Sequence, residues 1–390
     1  MKRNDTHPPP PGSGGGLPAT GAAPGLYVHV PFCRTKCPYC GFYSVPEDGS
    51  ERRWLGAVAR EAGLHRGVYE PFGTLYLGGG TPSLLGAEAI SRLFDLLRGA
   101  FAFADGCEVT IEANPDDVTA GRLAVWRDLG ATRLSLGVQS FDDGILRRLR
   151  RRHDAAAARG AIALAREAGF ENVGVDLIYG VEGQTRESWG RTLALAIDQA
   201  PEHISCYELT IDPGTEFGAR RAAGTLRPPG ERAARRFFLE TSALLRSRGY
   251  VHYEVSNFAR SASLASRHNL AYWRGVPYLG LGPSAHSFRG DARWWNVRSL
   301  DSYNALLEDG RPPVEDSETI GERERRLESL SLGFRTTDGV PLAALQRHPA
   351  WETTLERLVR DSLVSIENGR AVPTVAGFCV ADRLALFFAA

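Results

Sequence analysis

Pro31-Phe32-Cys33-Arg34-Thr35-Lys36-Cys37-Pro38-Tyr39-Cys40 carries three cysteines in a C-x3-C-x2-C spacing. Three thiolates this close can hold three irons of a [4Fe–4S] cube and leave the fourth iron free to chelate a small molecule. Thiolates are the usual protein ligands of such clusters, and spacing decides which sulfurs reach one cluster. The triplet follows Leu26-Tyr27-Val28-His29-Val30, a β-branched and aromatic run with the signature of a strand. The cysteines therefore fall in a loop at a strand's carboxyl end, where parallel α/β folds bind their ligands.

Other readings of the same cysteines stay open at this point. Cys37-Pro38-Tyr39-Cys40 is a C-x-x-C pair, which beside a βαβ pattern suits a thioredoxin-like redox site, although such a site has no use for Cys33. A structural zinc would need a fourth ligand, and His29 is the near candidate. A c-type haem attachment needs C-x-x-C-H, whereas Gly41 follows Cys40.

The 390 residues suffice for one large domain and a small one. With 46 basic and 46 acidic residues the formal net charge is zero, so no field of one sign marks a nucleic-acid binder. Lys2 and Lys36 are the only lysines, a bias that fits a GC-rich genome. Cys107, Cys206 and Cys379 are scattered in apolar surroundings and look like buried free thiols. Without a disulfide framework, a cytoplasmic location is expected. No apolar stretch reaches the ~20 residues of a membrane span, which leaves peripheral membrane association open. Residues 1–24, with Pro8–Pro11 and Gly14–Gly16, lack a signal-peptide core and suggest a disordered tail.

From residue 25 to about 230 the chain alternates strands and amphipathic helices. Strands are expected at Leu26–Val30, Thr74–Leu77, Glu108–Ile111, Arg133–Gly137, Asn172–Asp176 and His203–Glu208, with helix-ending glycines at Gly130, Gly169 and Gly249. This α/β alternation predicts a parallel sheet curled into a partial barrel with its function at the carboxyl rim. Residues 231–319, rich in Tyr, Trp, His and Asn, show little period and form a connecting region. Residues 320–390 predict a small winged-helix-like α+β domain: helices near Glu322–Leu332 and Trp351–Ser362, a hairpin turning on Asn368-Gly369, and a last helix from Val375.

The expected strand ends carry a consistent set of groups. Gly78-Gly79-Gly80-Thr81-Pro82 follows the second strand, and consecutive glycines let a ligand touch the backbone. The third ends in Glu112-Ala113-Asn114-Pro115, the fourth in Gly137-Val138-Gln139-Ser140 and the fifth in Asp176-Leu177-Ile178-Tyr179-Gly180. Any one of these could merely cap the next helix. Two carboxylates and an amide on one rim beside a cluster loop suit a ligand with ribose hydroxyls and an ammonium group.

With these motifs the chain resembles radical S-adenosylmethionine (SAM) proteins of the oxygen-independent coproporphyrinogen III oxidase group, and within it the HemW-type haem chaperones. The resemblance spans about residues 25–390. It rests on Tyr27-x-His29-x-Pro31-Phe32-Cys33 with the cysteine triplet, Gly78–Pro82, Gly137–Phe141, Asp176–Gly180, Tyr253–Phe258 and His268-Asn269-x-x-Tyr272-Trp273. It implies a radical SAM partial (β/α)6 barrel with a small C-terminal winged-helix-like domain. Cys33, Cys37 and Cys40 would ligate the cluster, whose fourth iron takes the amino and carboxylate groups of SAM. Tyr27 and Tyr39 match positions near SAM, and Gly80 and Thr81 the backbone site for its methionine end. Glu112, Gln139, Arg151 and Asp176 match positions that fix its ribose and amino-acid portions.

Two departures stand out. The porphyrinogen-oxidising branch has a further cysteine where this chain has Phe42, and Glu182 replaces the proline usual in the fifth-strand loop. From the residues alone, His268–Trp273 is a His–Asn turn with Tyr272 and Trp273 packed in a helix; the resemblance makes it the segment marking haem-binding members. Met1 is the only methionine, so an axial haem ligand within the fold must be His, Cys or Tyr. His268 is the first candidate, flanked by Tyr272 and Trp273, and His286 in Gly282-Pro283-Ser284-Ala285-His286 is the second. The expectation is a haem chaperone carrying a SAM-bound [4Fe–4S] cluster and passing haem to an acceptor apoprotein. The alternative is the oxidase that decarboxylates coproporphyrinogen III.

Overall fold

A computed structural model describes residues 22–69 and 71–389. The tail expected to be disordered lies outside the described residues as far as residue 21.

Six parallel strands form the centre of a 12-stranded sheet: β1 (Gly25–Val30), β2 (Phe72–Gly79), β3 (Phe103–Ala113), β4 (Arg133–Gln139), β5 (Val173–Tyr179) and β6 (His203–Glu208). They stand side by side in chain order, with all five pairings parallel. Helices α1 (Glu51–Leu64), α2 (Ala87–Ala100), α3 (Ala120–Asp128), α4 (Ala155–Glu167) and α5 (Arg186–Asp198) make the crossovers. Local chemistry sets their limits. Asp154 caps α4 by accepting from the Ala157 amide, and Gly169 beyond its end has φ +82°, which glycine adopts without strain. Thr185 and Ser188 form a reciprocal capping box at the start of α5.

Alternation along β1 fixes which side holds the core. Leu26, Val28 and Val30 are fully buried in one cluster with Trp54, Val58 and Leu93 of the helical layer. Tyr27 and His29 therefore point to the opposite, inner face, since successive strand residues face opposite sides.

Residues 251–319, whose sequence shows little period, supply both flanks of this sheet. After α6 (Glu231–Ser247), β7 (Val251–Glu254) and β8 (Asn257–Ala259) close one flank, β8 lying antiparallel to β6. On the other, β9 (Tyr278–Leu281) runs parallel to β1, making a seventh parallel strand. Strands β10 (His286–Arg289), β11 (Ala292–Asn296) and β12 (Val314–Thr319) continue outward, each antiparallel to the one before. Helix α7 (Arg267–Trp273) precedes β9, and α8 (Leu300–Glu308) separates β11 from β12.

The C-terminal segment has its own core of Leu330, Phe334, Leu345, Leu355, Leu358 and Phe388, fed by α9 (Glu322–Gly333) and α10 (Trp351–Arg360). A three-stranded sheet of β13 (Val340–Pro341), β14 (Val364–Glu367) and β15 (Arg370–Pro373) completes this α+β unit. The hairpin turns on Asn368 and Gly369, at φ +49° and +73°, as an Asn-Gly turn requires. The helix expected from Val375 is broken into Val375–Phe378 and Ala381–Leu384, followed by a 3-10 turn at Ala385–Phe388.

Candidate functional site

The inner face of the barrel is layered by strand register. Gly25 lies beside Thr74, Tyr27 beside Tyr76, and His29 beside Gly78, from the amino end of the strands to the rim. In the middle layer the Tyr76 hydroxyl donates to Glu112 Oε1 at 2.7 Å. Across the lumen Ser135 donates to Asp176 Oδ2 at 2.9 Å. Burial raises the Glu112 carboxyl to a pKa of about 7, the nearby Asp176 charge adding to the effect. Burial raises Asp176 as well, against hydrogen bonds from Ser205 and Ser135. Two buried carboxyl groups with competing charges favour a ligand bearing a cation and hydroxyls, which would let both ionise.

The glycine run forms a shelf at the rim because nothing larger fits. Gly79 has φ +106°, and a Cβ there would lie 2.5 Å from the His29 ring. A Cβ on Gly80 would lie 2.7 Å from the Val30 and Phe32 carbonyls. The Gly80 amide instead donates to Val30 O at 2.8 Å, holding the shelf against the cluster loop. Gln139, a non-glycine residue at φ +65°, ends β4 in a left-handed kink, and such outliers gather at functional sites.

Side chains from several strand ends meet the cysteine loop. Cys33 Sγ lies 3.3 Å from Thr81 Oγ1. Arg151 donates through Nη1 to Cys37 Sγ at 3.4 Å, and through Nη2 to Gly137 O at 2.9 Å and to Asn114 Oδ1. Asn114 in turn donates to Thr81 Oγ1 at 3.4 Å. Tyr39 is packed against Phe217 at a ring-centre distance of 6.3 Å, and the Phe217 amide donates to Pro38 O. The three thiols are half-buried and free. Among the described residues no three His, Cys, Asp or Glu side chains converge on a single-ion site. A cube, which takes one thiolate at each of three corners, does not need such convergence. Half-buried sulfurs beside a guanidinium donor fit a [4Fe–4S] cluster, which Cys33, Cys37 and Cys40 would hold, and the glycine shelf, Glu112, Gln139 and Asp176 would then hold SAM beside it. In radical SAM proteins such a pair would supply, when bound, reductive cleavage of SAM to a 5′-deoxyadenosyl radical.

Residues 27–196 match the radical SAM superfamily. Over 373 residues the chain is 36% identical to heme chaperone HemW of Mycobacterium tuberculosis (strain CDC 1551 / Oshkosh), covering 94% of this chain and 95% of the relative. The chain belongs to the HemW family of radical SAM proteins. Another member, heme chaperone HemW of Escherichia coli (strain K12), is 38% identical over 267 residues, 67% of this chain and 69% of its own. Among solved structures, coproporphyrinogen III oxidase (HemN) from Escherichia coli superposes with a TM-score of 0.79 at 26% identity, covering 94% of this chain and 90% of that one. The family's radical SAM fold accounts for the parallel barrel with the cysteine loop on its rim.

Sequence reasoning passed over Asn114, Tyr76 and Ser135, which join the site. Asn114 stands in the Glu112–Pro115 motif, but its link to Arg151 spans 37 residues.

The His268 segment is packed inside the protein. His268 is 2% exposed and forms the floor of the barrel. Its Nδ1 bonds Thr74 Oγ1 at 2.7 Å, its Nε2 bonds the Tyr272 hydroxyl at 2.9 Å, and its ring stacks on Tyr76 at 5.0 Å. Burial lowers its pKa to about 3. Both nitrogens are thus engaged, and iron could be reached only by breaking one bond and opening the floor. Trp273 faces the C-terminal unit, with the Arg335 guanidinium 4.8 Å over its ring. Tyr272 meets Tyr278 edge-on at 4.5 Å. In this geometry Tyr272 and Trp273 pack in the helix, as the residues alone suggested; for His268 to serve as axial ligand, with Tyr272 and Trp273 against the macrocycle, this helix would have to open. Glu182, in the fifth-strand loop, accepts from the Arg227 amide at 2.7 Å, so a side-chain anchor stands where proline would stiffen the turn.

Proposed function

We propose that the protein is a haem chaperone, which binds haem and passes it to an acceptor apoprotein while carrying a SAM-bound [4Fe–4S] cluster. The similarity to heme chaperone HemW along nearly the whole chain carries this reading. The site adds a second support. At the position of the extra cysteine of the porphyrinogen-oxidising branch, Phe42 stands 68% exposed and offers apolar surface instead of a thiol. Among the described residues no helix is long and apolar enough to cross a membrane. The reading places the protein in the cytoplasm, with peripheral contact to a membrane where its acceptor requires it, and gives it no nucleic-acid partner.

The test is anaerobic reconstitution of the cluster, titration with haemin, and transfer of bound haem to apomyoglobin as a generic acceptor. Stoichiometric binding and transfer, with no product from coproporphyrinogen III in the presence of SAM and reductant, are expected. Multiple turnovers to protoporphyrinogen IX would replace the chaperone by the oxidase.

A further inference from the structure

The two carboxyl groups on the inner face of the barrel are supported unequally. Asp176 on β5 is held by hydroxyls from both neighbouring strands, Ser135 on β4 and Ser205 on β6, and the Arg133 guanidinium favours its charge. The side chain that donates to Glu112 is Tyr76, at 2.7 Å, and the Gly79 amide is its backbone donor. The other groups that face Glu112 give its charge no help. Asp176 opposes it. Tyr27 on β1 lies within its field but bonds His29 Nδ1 at 3.1 Å. His29 Nε2 faces the Tyr43 carbonyl at 2.9 Å, which can only accept, so Nδ1 is the acceptor and the Tyr27 proton is used there. His268 of α7, under the Tyr76 ring, is neutral, since burial lowers its pKa to about 3. None of these groups is a cation.

Tyr76 is fixed in the place where this matters. Its ring stacks on His268 at 5.0 Å with 25° between planes and lies 6.2 Å from the Tyr27 ring. Gly78 leaves the room that the pair needs, because a Cβ there would lie 2.9 Å from Tyr76 Cε1 and 3.2 Å from Glu112 Cδ. The Tyr76–Glu112 pair therefore lies directly beneath the glycine shelf. Burial holds the Tyr76 hydroxyl protonated, so it remains a donor. A donor bonds a carboxylate more strongly than a neutral carboxyl, and so favours the ionised form.

We propose that Tyr76 is a positioning residue of the SAM site, its hydroxyl fixing the Glu112 carboxyl beneath the shelf in the charged form that meets a cationic ligand. This role rests on the reading of the rim as a SAM site and adds a residue that acts through Glu112. Without the hydroxyl, Glu112 would take up its proton at higher pH. SAM binding would then be weakened below the raised pKa and restored above it.

The test measures SAM affinity by calorimetry on the anaerobically reconstituted full chain from pH 6 to 9, in wild type, Tyr76→Phe, Glu112→Gln and the double variant. Tyr76→Phe keeps the ring that stacks on His268 and should keep its iron. At pH 6 it should bind SAM about tenfold more weakly, one pKa unit being one decade, with the gap closing to less than about twofold by pH 9. The ionisation of SAM itself is common to all variants and cancels in their ratios. In the Glu112→Gln background, Tyr76→Phe should give a ratio that does not change with pH. Infrared titration of the Glu112 carboxyl band in the metal-free protein, recognised by its loss in Glu112→Gln, supplies a readout that needs neither cluster nor SAM. Its midpoint should be higher in Tyr76→Phe. A midpoint that does not move, or an affinity ratio between Tyr76→Phe and wild type that is constant with pH, would mean that Tyr76 only packs and would overturn the role. Wild-type protein that binds no SAM removes the SAM reading itself, and the role with it. Wild-type binding matched by Tyr76→Phe at every pH removes only the role of Tyr76.

Discussion

Arg151 reaches the cysteine loop, while Arg150 pairs with Glu216 at 2.5 Å and Arg152 with Asp116. Backbone geometry sorts them: Arg150 has φ +52°, so three successive arginines leave the helix end in different directions. Hydrogen bonds to ligand sulfur raise a cluster's reduction potential. The Arg151→Ala variant should therefore keep its iron and show a more negative cluster potential in spectroelectrochemistry. Replacing Cys33, Cys37 or Cys40 by Ala should instead abolish the cluster, whereas Ala at Cys107, Cys206 or Cys379 should leave the iron content intact. Glu112→Ala, Gln139→Ala and Asp176→Ala should retain iron and weaken SAM binding. Each lost charge-assisted hydrogen bond is worth roughly 1.5–3 kcal/mol, and calorimetric affinities for SAM check the direction.

Among the elements, the six barrel strands were legible because each is a short apolar run between helical patterns, with turn residues at its ends. Cysteines, a glycine run and acids at successive strand ends were legible for the same reason: chemistry sits where a strand stops. Strands β9 to β11 escaped because they are four or five residues long and lack crossover helices between them. Glu61 escaped because its meaning comes from Gly282, Asn296 and Tyr303, more than 200 residues away. That network also carries a pH signature. Burial raises the Glu61 pKa from 4.5 to about 7, so between these values the native state holds a proton that the unfolded chain releases. Raising pH through this window favours unfolding, and the contribution of the protonated group is lost as pH passes about 7. Glu61→Gln should flatten that part of the stability profile of the metal-free protein, measured by urea unfolding from pH 4.5 to 7.5. Glu61→Ala should instead destabilise at every pH by about 1–3 kcal/mol for each buried donor left unpaired.

At the scale of the molecule, the C-terminal unit is fastened to the part of the barrel that closes its floor. The Val255 amide donates to Arg335 O at 3.0 Å, and the Thr337 amide donates to Tyr253 O at 2.9 Å. Arg274, just past α7, pairs with Asp338 at 2.9 Å, and the Arg335 guanidinium covers Trp273. These contacts hold the helix that places His268 under Tyr76, and Tyr76 holds Glu112. The Tyr253–Phe258 and His268–Trp273 motifs thus serve one assembly, although their sequence gives no sign that the partner is residues 335–338. A cation over an indole contributes about 0.5–2 kcal/mol, which corresponds to a change of about 2- to 30-fold in a local opening equilibrium. Arg335→Ala should therefore speed hydrogen exchange by that order in peptides covering 253–258 and 267–275, while the α2 and α4 peptides stay unchanged. Equal acceleration everywhere would mean global destabilisation, and no acceleration in 267–275 would mean that the floor helix stands without the C-terminal unit.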